Sequence, residues 1–146
     1  MSAPFVYRRR IQFAETDMAG IVHFSVFYRI MEETEHAFFR SLGLSIMAPQ
    51  PDGTVIGWPR VRAQCAFIAP AFFEEEIEIE ARVRRRGFKS LTMAYVFRRG
   101  ETVLATGEMK TVCCRCPPGQ PFYSIEIPES YAAQLVESDA ENRSTG

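Results

Sequence analysis

From Glu76 to Arg84 charged and apolar side chains alternate without a break, in a run that continues to Arg86, and no other stretch narrows the possible folds as far. Glu76, Glu78, Glu80, Arg82, Arg84 and Arg86 interleave with Ile77, Ile79, Ala81 and Val83. Successive side chains of a β-strand point to opposite faces, so this period of two predicts a strand with one face in water and the other on a core. The rest of the chain must supply that core.

The best partner is a helix predicted over about Ser25 to Leu42. Phe27, Ile30, Met31, Thr34, Phe38 and Leu42 recur at spacings of three and four, which gathers them on one face. Phe24, Tyr28 and Phe39 widen the apolar surface. Ser25 is the expected N-cap, and Gly43 is placed to stop the helix. Further strands are predicted at Phe5 to Phe13, Arg60 to Ile68, Phe88 to Arg98 and Thr102 to Val112. Arg99-Gly100-Glu101 forms the turn between the last two, and a short helix is expected from Pro128 to Val136. Strands that follow one another without intervening helices make an antiparallel sheet. The expected class is therefore α+β, one long helix packed on a curved sheet of about five strands. Such a sheet leaves edges open, so self-association is expected.

The 146 residues fit one domain spanning 1–146, with a flexible polar tail expected over 137–146. No run approaches the roughly 18 apolar residues of a membrane span. Arg8-Arg9-Arg10 is followed by Ile-Gln-Phe-Ala-Glu rather than by a signal-peptide apolar segment. A cytoplasmic protein is expected. Seventeen basic and eighteen acidic residues leave a net charge of −1, which speaks against a nucleic-acid partner. Cys113 and Cys116 have the spacing of a redox pair or half a zinc site. No second pair follows, and ordinary reduced thiols are expected.

The chemistry concentrates in Glu15 to Ser25. Asp17 lies in a loop just before the apolar helix, and Gly20 permits a tight backbone path. The amides near Phe24 and Ser25 are free donors at the positive end of the helix dipole. A carbonyl held there would be polarised while Asp17 attacked its carbon or activated water. A plainer reading has Asp17 satisfying loop amides. Ser25, His23 and Asp17 are too crowded in the chain to converge as a triad, and no G-x-S-x-G elbow is present. Glu32, Glu33, Glu35 and His36 share one helix, whereas carboxylate-bridged metal bundles repeat such a motif on several; no metal is expected.

Asp17-Met18-Ala19-Gly20-Ile21-Val22, followed by an aromatic helix running into Met31-Glu32-Glu33, resembles the 4-hydroxybenzoyl-CoA thioesterase family, which includes the Tol–Pal-associated thioesterases. Ser41-Leu42-Gly43-Leu44, Phe88-Lys89-Ser90-Leu91 and Ile125-Glu126-Ile127-Pro128 extend the likeness, which covers roughly residues 5 to 136. The resemblance implies a hotdog fold, in which the sheet wraps the long helix, and an acyl-CoA thioesterase acting on a short-chain or aromatic acyl-CoA without a cofactor. It implies homo-oligomers, dimers or dimers of dimers (homotetramers), with active sites between subunits. It places the catalytic carboxylate on Asp17 and the carbonyl-polarising amide on Phe24. His23 lies beside them as a group that could orient water or substrate. Gly20, Ile21 and Val22 would line the substrate, and the family's Lys-Ser turn falls on Lys89 and Ser90. Beside it the basic strand end at Arg86 could join Lys89 in taking the CoA phosphates, or form a solvated face balanced by Glu74, Glu75, Glu76, Glu78 and Glu80. Relatives carry Tyr-His where this chain has His23-Phe24, and Asn or Ser in place of Val26. Two rivals stay open, a hotdog dehydratase or hydratase and a non-catalytic acyl-thioester-binding domain.

Overall fold

The computed structural model describes residues 4–139. In chain order the elements are β1 (Phe5–Arg10), α1 (Phe24–Ser41), β2 (Ala48–Pro49), β3 (Val55–Gly57), β4 (Arg60–Phe67), β5 (Glu76–Arg86), β6 (Ser90–Arg99), β7 (Thr102–Val112), β8 (Cys114–Cys116), β9 (Tyr123–Ser124) and α2 (Glu129–Ala132). Five strands form an antiparallel sheet in the order β1-β5-β6-β7-β4, and the short strands form a second sheet, β2-β3-β8-β9.

The alternation in β5 does what its period requires. Ile77, Ile79, Ala81 and Val83 are buried, beside Leu91, Met93, Tyr95 and Phe97 of β6 on the same inner face. Phe27, Ile30, Met31 and Thr34 of α1 close this core. Thr34 is tolerated there because its hydroxyl donates to the Ile30 carbonyl at 2.7 Å. Gly107 of β7 lets the helix approach: a Cβ at that position would lie 2.4 Å from Met31 Sδ. The outer face carries the charges, with Arg8 opposite Glu78, Arg10 opposite Glu76, and Arg98 paired to Glu80 at 3.1 Å.

Helix α1 ends as the sequence leads one to expect. Gly43 has φ +72°, its amide donates to the Arg40 carbonyl, and the Leu44 amide donates to that of Phe39. This double closure needs a left-handed residue, which glycine adopts without strain.

Three expectations need correction. The first strand stops at Arg10 rather than Phe13, because the Ile11 amide turns to the Glu75 carbonyl and Phe13–Glu15 form a 3-10 turn. Phe13 is left exposed instead of joining the core. The C-terminal helix spans only Glu129–Ala132, preceded by Pro128, although Leu135 beyond it is fully buried. Glu137 and Ser138, assigned to a loose tail, dock on the sheet. Glu137 bridges Val83, and the Ser138 amide donates to the Val83 carbonyl at 3.0 Å. The rest of that segment, from residue 140, lies outside the described residues. The second sheet was not expected at all, since strands of two or three residues carry no readable period.

Among the described residues no helix is long and apolar enough to cross a membrane. The four cysteines are free thiols, and burial pushes Cys65 and Cys113 up to about 11.

Candidate active site

The loop before α1 is held on three sides. Thr16 bridges Val22, Ile21 bridges Phe72, and the Val22 amide donates to the Ala71 carbonyl at 2.9 Å. The His23 amide donates to the Glu15 carbonyl at 2.9 Å. Glu15 is itself gripped by a two-pronged contact from Arg9, at 2.9 and 2.7 Å. Burial works against the Glu15 charge, but the Arg9 fork and the Gln12 amide outweigh it and hold the carboxyl below its usual range. Gly20 turns the chain at φ +80°.

This frame sets Asp17. Its Oδ1 accepts from the Ala19 amide at 2.8 Å and from the Ile21 amide at 3.4 Å, which fixes the carboxylate plane. Oδ2 has no hydrogen-bond partner among the described residues. The loop-satisfying role and an available carboxylate oxygen therefore coexist in one side chain.

The helix start differs from expectation in one respect. The N-cap is His23, not Ser25: His23 is extended (φ −62°, ψ 139°), and its Nδ1 accepts from the Ser25 amide at 3.3 Å. Ser25 Oγ lies 2.7 Å from the same nitrogen. The helix begins one residue early because the Glu15 and Ala71 carbonyls capture the amides of His23 and Val22, leaving the imidazole to cap the first turn. His23 is exposed, stacked on Phe24 with centroids 4.7 Å apart, and is not part of the cleft wall described next.

The Phe24 amide, first in the helix, has no acceptor among the described residues. Asp17 and Phe24 line the same cleft, of about 450 Å³, together with Ile21, Val22 and Phe27. Its far wall is Phe67 to Ala71, the end of β4 and the chain beyond. The predicted residues Asp17, Ile21, Val22 and Phe24 are thus brought together, with Gly20 at the adjoining turn. Sequence reasoning missed the Phe67–Ala71 wall. The run Phe67-Ile68-Ala69-Pro70-Ala71-Phe72-Phe73, too apolar for a solvent loop, was the available sign. Of the residues lining the cleft, Phe24, Phe67 and Ile68 are exposed, an apolar surface that isolated soluble chains seldom display.

Arg86, Lys89 and Ser90 are not brought to this cleft within the chain. They lie around the β5–β6 turn, at the opposite end of the sheet from the β4 end that walls the cleft. Arg86 donates from its guanidinium to the Ala132 carbonyl and from its amide to Glu137 at 2.8 Å. Lys89 Nζ is 3.5 Å from Ser124 Oγ. Glu32 and Glu35 are engaged elsewhere: Arg60 reaches them at 2.9 and 3.2 Å. Among the described residues no three His, Cys, Asp or Glu side chains gather into a metal-binding group.

The chain as a whole is similar to several known proteins. Residues 19–106 match the Thioesterase superfamily. A protein of Aquifex aeolicus named as an esterase is 31% identical over 107 residues, covering 73% of this chain and 82% of its own. A 1,4-dihydroxy-2-naphthoyl-CoA hydrolase of Synechococcus elongatus is 25% identical over 111 residues, covering 76% of this chain and 82% of its own. Among solved structures, a gentisyl-coenzyme A thioesterase superposes with a TM-score of 0.76 at 30% identity, over 90% of this chain and 98% of the other.

Proposed function

This chain belongs to the thioesterase superfamily, with the hotdog fold and the acyl-CoA hydrolase activity of that family, and on that premise we propose that the Asp17–Phe24 cleft is where it cleaves its thioester. The substrate is a short-chain or aromatic acyl-CoA, which leaves as free acid and CoA. The cleft favours an acyl group that is apolar on most sides, since Ile21, Val22, Phe27 and Phe67 form its walls. The relatives named for dihydroxynaphthoyl-CoA and gentisyl-CoA point to the aromatic end of that range.

One observation carries the reading: Asp17 and Phe24 line one apolar cleft, and the Asp17 Oδ2 and the Phe24 amide have no partners among the described residues. The thioester oxygen accepts from the Phe24 N–H, where the helix dipole stabilises the charge that develops on it. Asp17 Oδ2 then works in one of two ways. It attacks the carbonyl carbon, expelling the CoA thiolate and leaving an anhydride that water opens. Alternatively it takes a proton from the water that attacks, and the proton passes to the departing sulfur. Both routes end in the same products and use no cofactor. His23, capping the helix through Nδ1, positions the Phe24 amide rather than meeting the substrate.

The exposed apolar lining of the cleft and the unpaired edge of β4 support self-association, as a dimer or a dimer of dimers. In that assembly Arg86, Lys89 and Ser90 of a second copy supply the CoA phosphate contacts that they do not offer within one chain.

The test is thiol release measured over short, long and aromatic acyl-CoAs, with Asp17→Asn beside the wild type. Asp17→Asn is expected to lower kcat at least about a hundredfold while leaving Tm nearly unchanged. A variant that turns over at the wild-type rate removes Asp17 from the mechanism. Loss of an enoyl-CoA absorbance without thiol release would move the chain to the hydratases.

A further inference from the structure

On the face of the five-stranded sheet that points away from α1, four cations converge on a groove of about 530 Å³. Arg85, Thr92, Lys110 and Arg62 stand directly opposite one another across β5, β6, β7 and β4, a single row spanning four strands. Thr92 neighbours the inner-face residue Met93, so the row faces outward. The ladder of β5 shifts register between Val83 and Arg85, which inserts Arg84 as an extra residue and adds its guanidinium to the same groove.

Lys110 and Arg62 are cross-strand partners of like sign, an arrangement that destabilises a sheet unless something negative lies between them. The protein's own carboxylates in the groove do not fill that role. Glu108 is committed to Arg84 at 2.5 Å, and Glu137 accepts the Arg86 amide. Arg62 is tied only to Gln64, and neither Arg85 nor Lys110 has an ion-pair partner among the described residues. A concave site lined mainly by one sign of charge raises the local concentration of the opposite ion.

We propose that this groove binds an oligophosphate anion, with Arg62, Arg85 and Lys110 as its principal contacts. Arginine offers forked donors to phosphate oxygens and lysine a compact charge, and a row spread over three charged strands matches two or more linked phosphates better than one. The anion is a free oligophosphate, distinct from the CoA phosphates assigned to Arg86, Lys89 and Ser90 of a second copy. The inference does not depend on the cleft, because the groove occupies the other face of the sheet.

The test is titration calorimetry with inorganic pyrophosphate on the full chain, repeated at rising salt. The variant is Arg85→Ala with Lys110→Ala; the control is Arg8→Ala, on the same face but paired to Glu78. Wild type should bind pyrophosphate saturably and more weakly as salt rises. The double variant should lose at least about tenfold in affinity, the scale of removing charged hydrogen-bond donors, and the control should lose none. Thiol release separates the groove from the substrate contacts: an unchanged KM for acyl-CoA supports a free oligophosphate, and a matching rise in KM at constant kcat overturns the proposal by making the row a contact for the CoA end. Absence of saturable binding overturns the proposal, as does an equal loss in Arg8→Ala. A change in assembly mass with pyrophosphate affinity untouched overturns it too, making the row a contact between copies. Binding is read without turnover, so an inactive cleft would leave this result intact.

Discussion

Helix α1 carries polar chemistry at two places, and they are built to opposite rules. Before its first turn, Asp17 and Phe24 line an open apolar cleft, and the Asp17 Oδ2 and the Phe24 amide have no partners among the described residues. Midway along it, Glu35 is 1% exposed and Glu32 sits a turn earlier, both held by the Arg60 guanidinium of β4. The first arrangement leaves interaction energy unused in the folded state, to be drawn on when charge develops in a transition state. The second uses all of it in the folded state, because a buried carboxylate without a cation would cost several kcal/mol. Polar groups on one helix are thus no guide to function until their partners are counted.

The largest test breaks the fully paired end. Arg60→Met leaves Glu35 buried without its cation and is expected to lower stability by about 3–5 kcal/mol, read by denaturant melts. The kcat per folded molecule should stay close to wild type.

The next test strips the unpaired end without disturbing the fold. Proline is accepted at the first helical position, and His23 already has the extended backbone that a residue before proline prefers. Phe24→Pro therefore removes the N–H alone from the backbone, and Phe24→Ala controls for loss of the ring. Thiol release should fall about a hundredfold in the proline variant, near 2.7 kcal/mol of transition-state stabilisation, and much less in the alanine variant. Equal rates in the two would discard the amide as the oxyanion donor.

The smallest test contrasts two glutamates by pH. Arg9 and the Gln12 amide hold Glu15 below its usual 4.5 against the pull of burial, so its contribution is present above that value and fades as pH falls through the folded one. For Glu35, burial raises the carboxyl more than Arg60 lowers it. Its contribution has the opposite sign, complete below the usual value and lost as pH rises through the folded one. Glu15→Gln should cost about 1 kcal/mol at neutral pH and progressively less below about pH 4. Glu35→Gln should compare best with wild type at neutral pH and worst in acid. Parallel pH curves for the two variants would erase the distinction between the regions.

Much of this protein was readable from its residues because the physics is local. The limits of β5 and β7 follow from alternation and from the turn at Gly100, and the end of α1 follows from Gly43. The loop from Asp17 to Val22 was also legible, since a carboxylate, a glycine and an apolar helix start are consecutive. What the sequence did not disclose depends on chain segments far apart. The cap passed from Ser25 to His23 because carbonyls of Glu15 and Ala71 claimed the neighbouring amides. The far wall of the cleft comes from Phe67 to Ala71, some fifty residues away along the chain, and the separation of Lys89 from Asp17 is set by strand order. The row of Arg62, Lys110 and Arg85 likewise exists only through register, with a bulge adding Arg84. Period and capping fix what each segment is, because they act between neighbours. Which unpaired groups finally face one another is decided by packing, where one residue of register exchanges core for solvent.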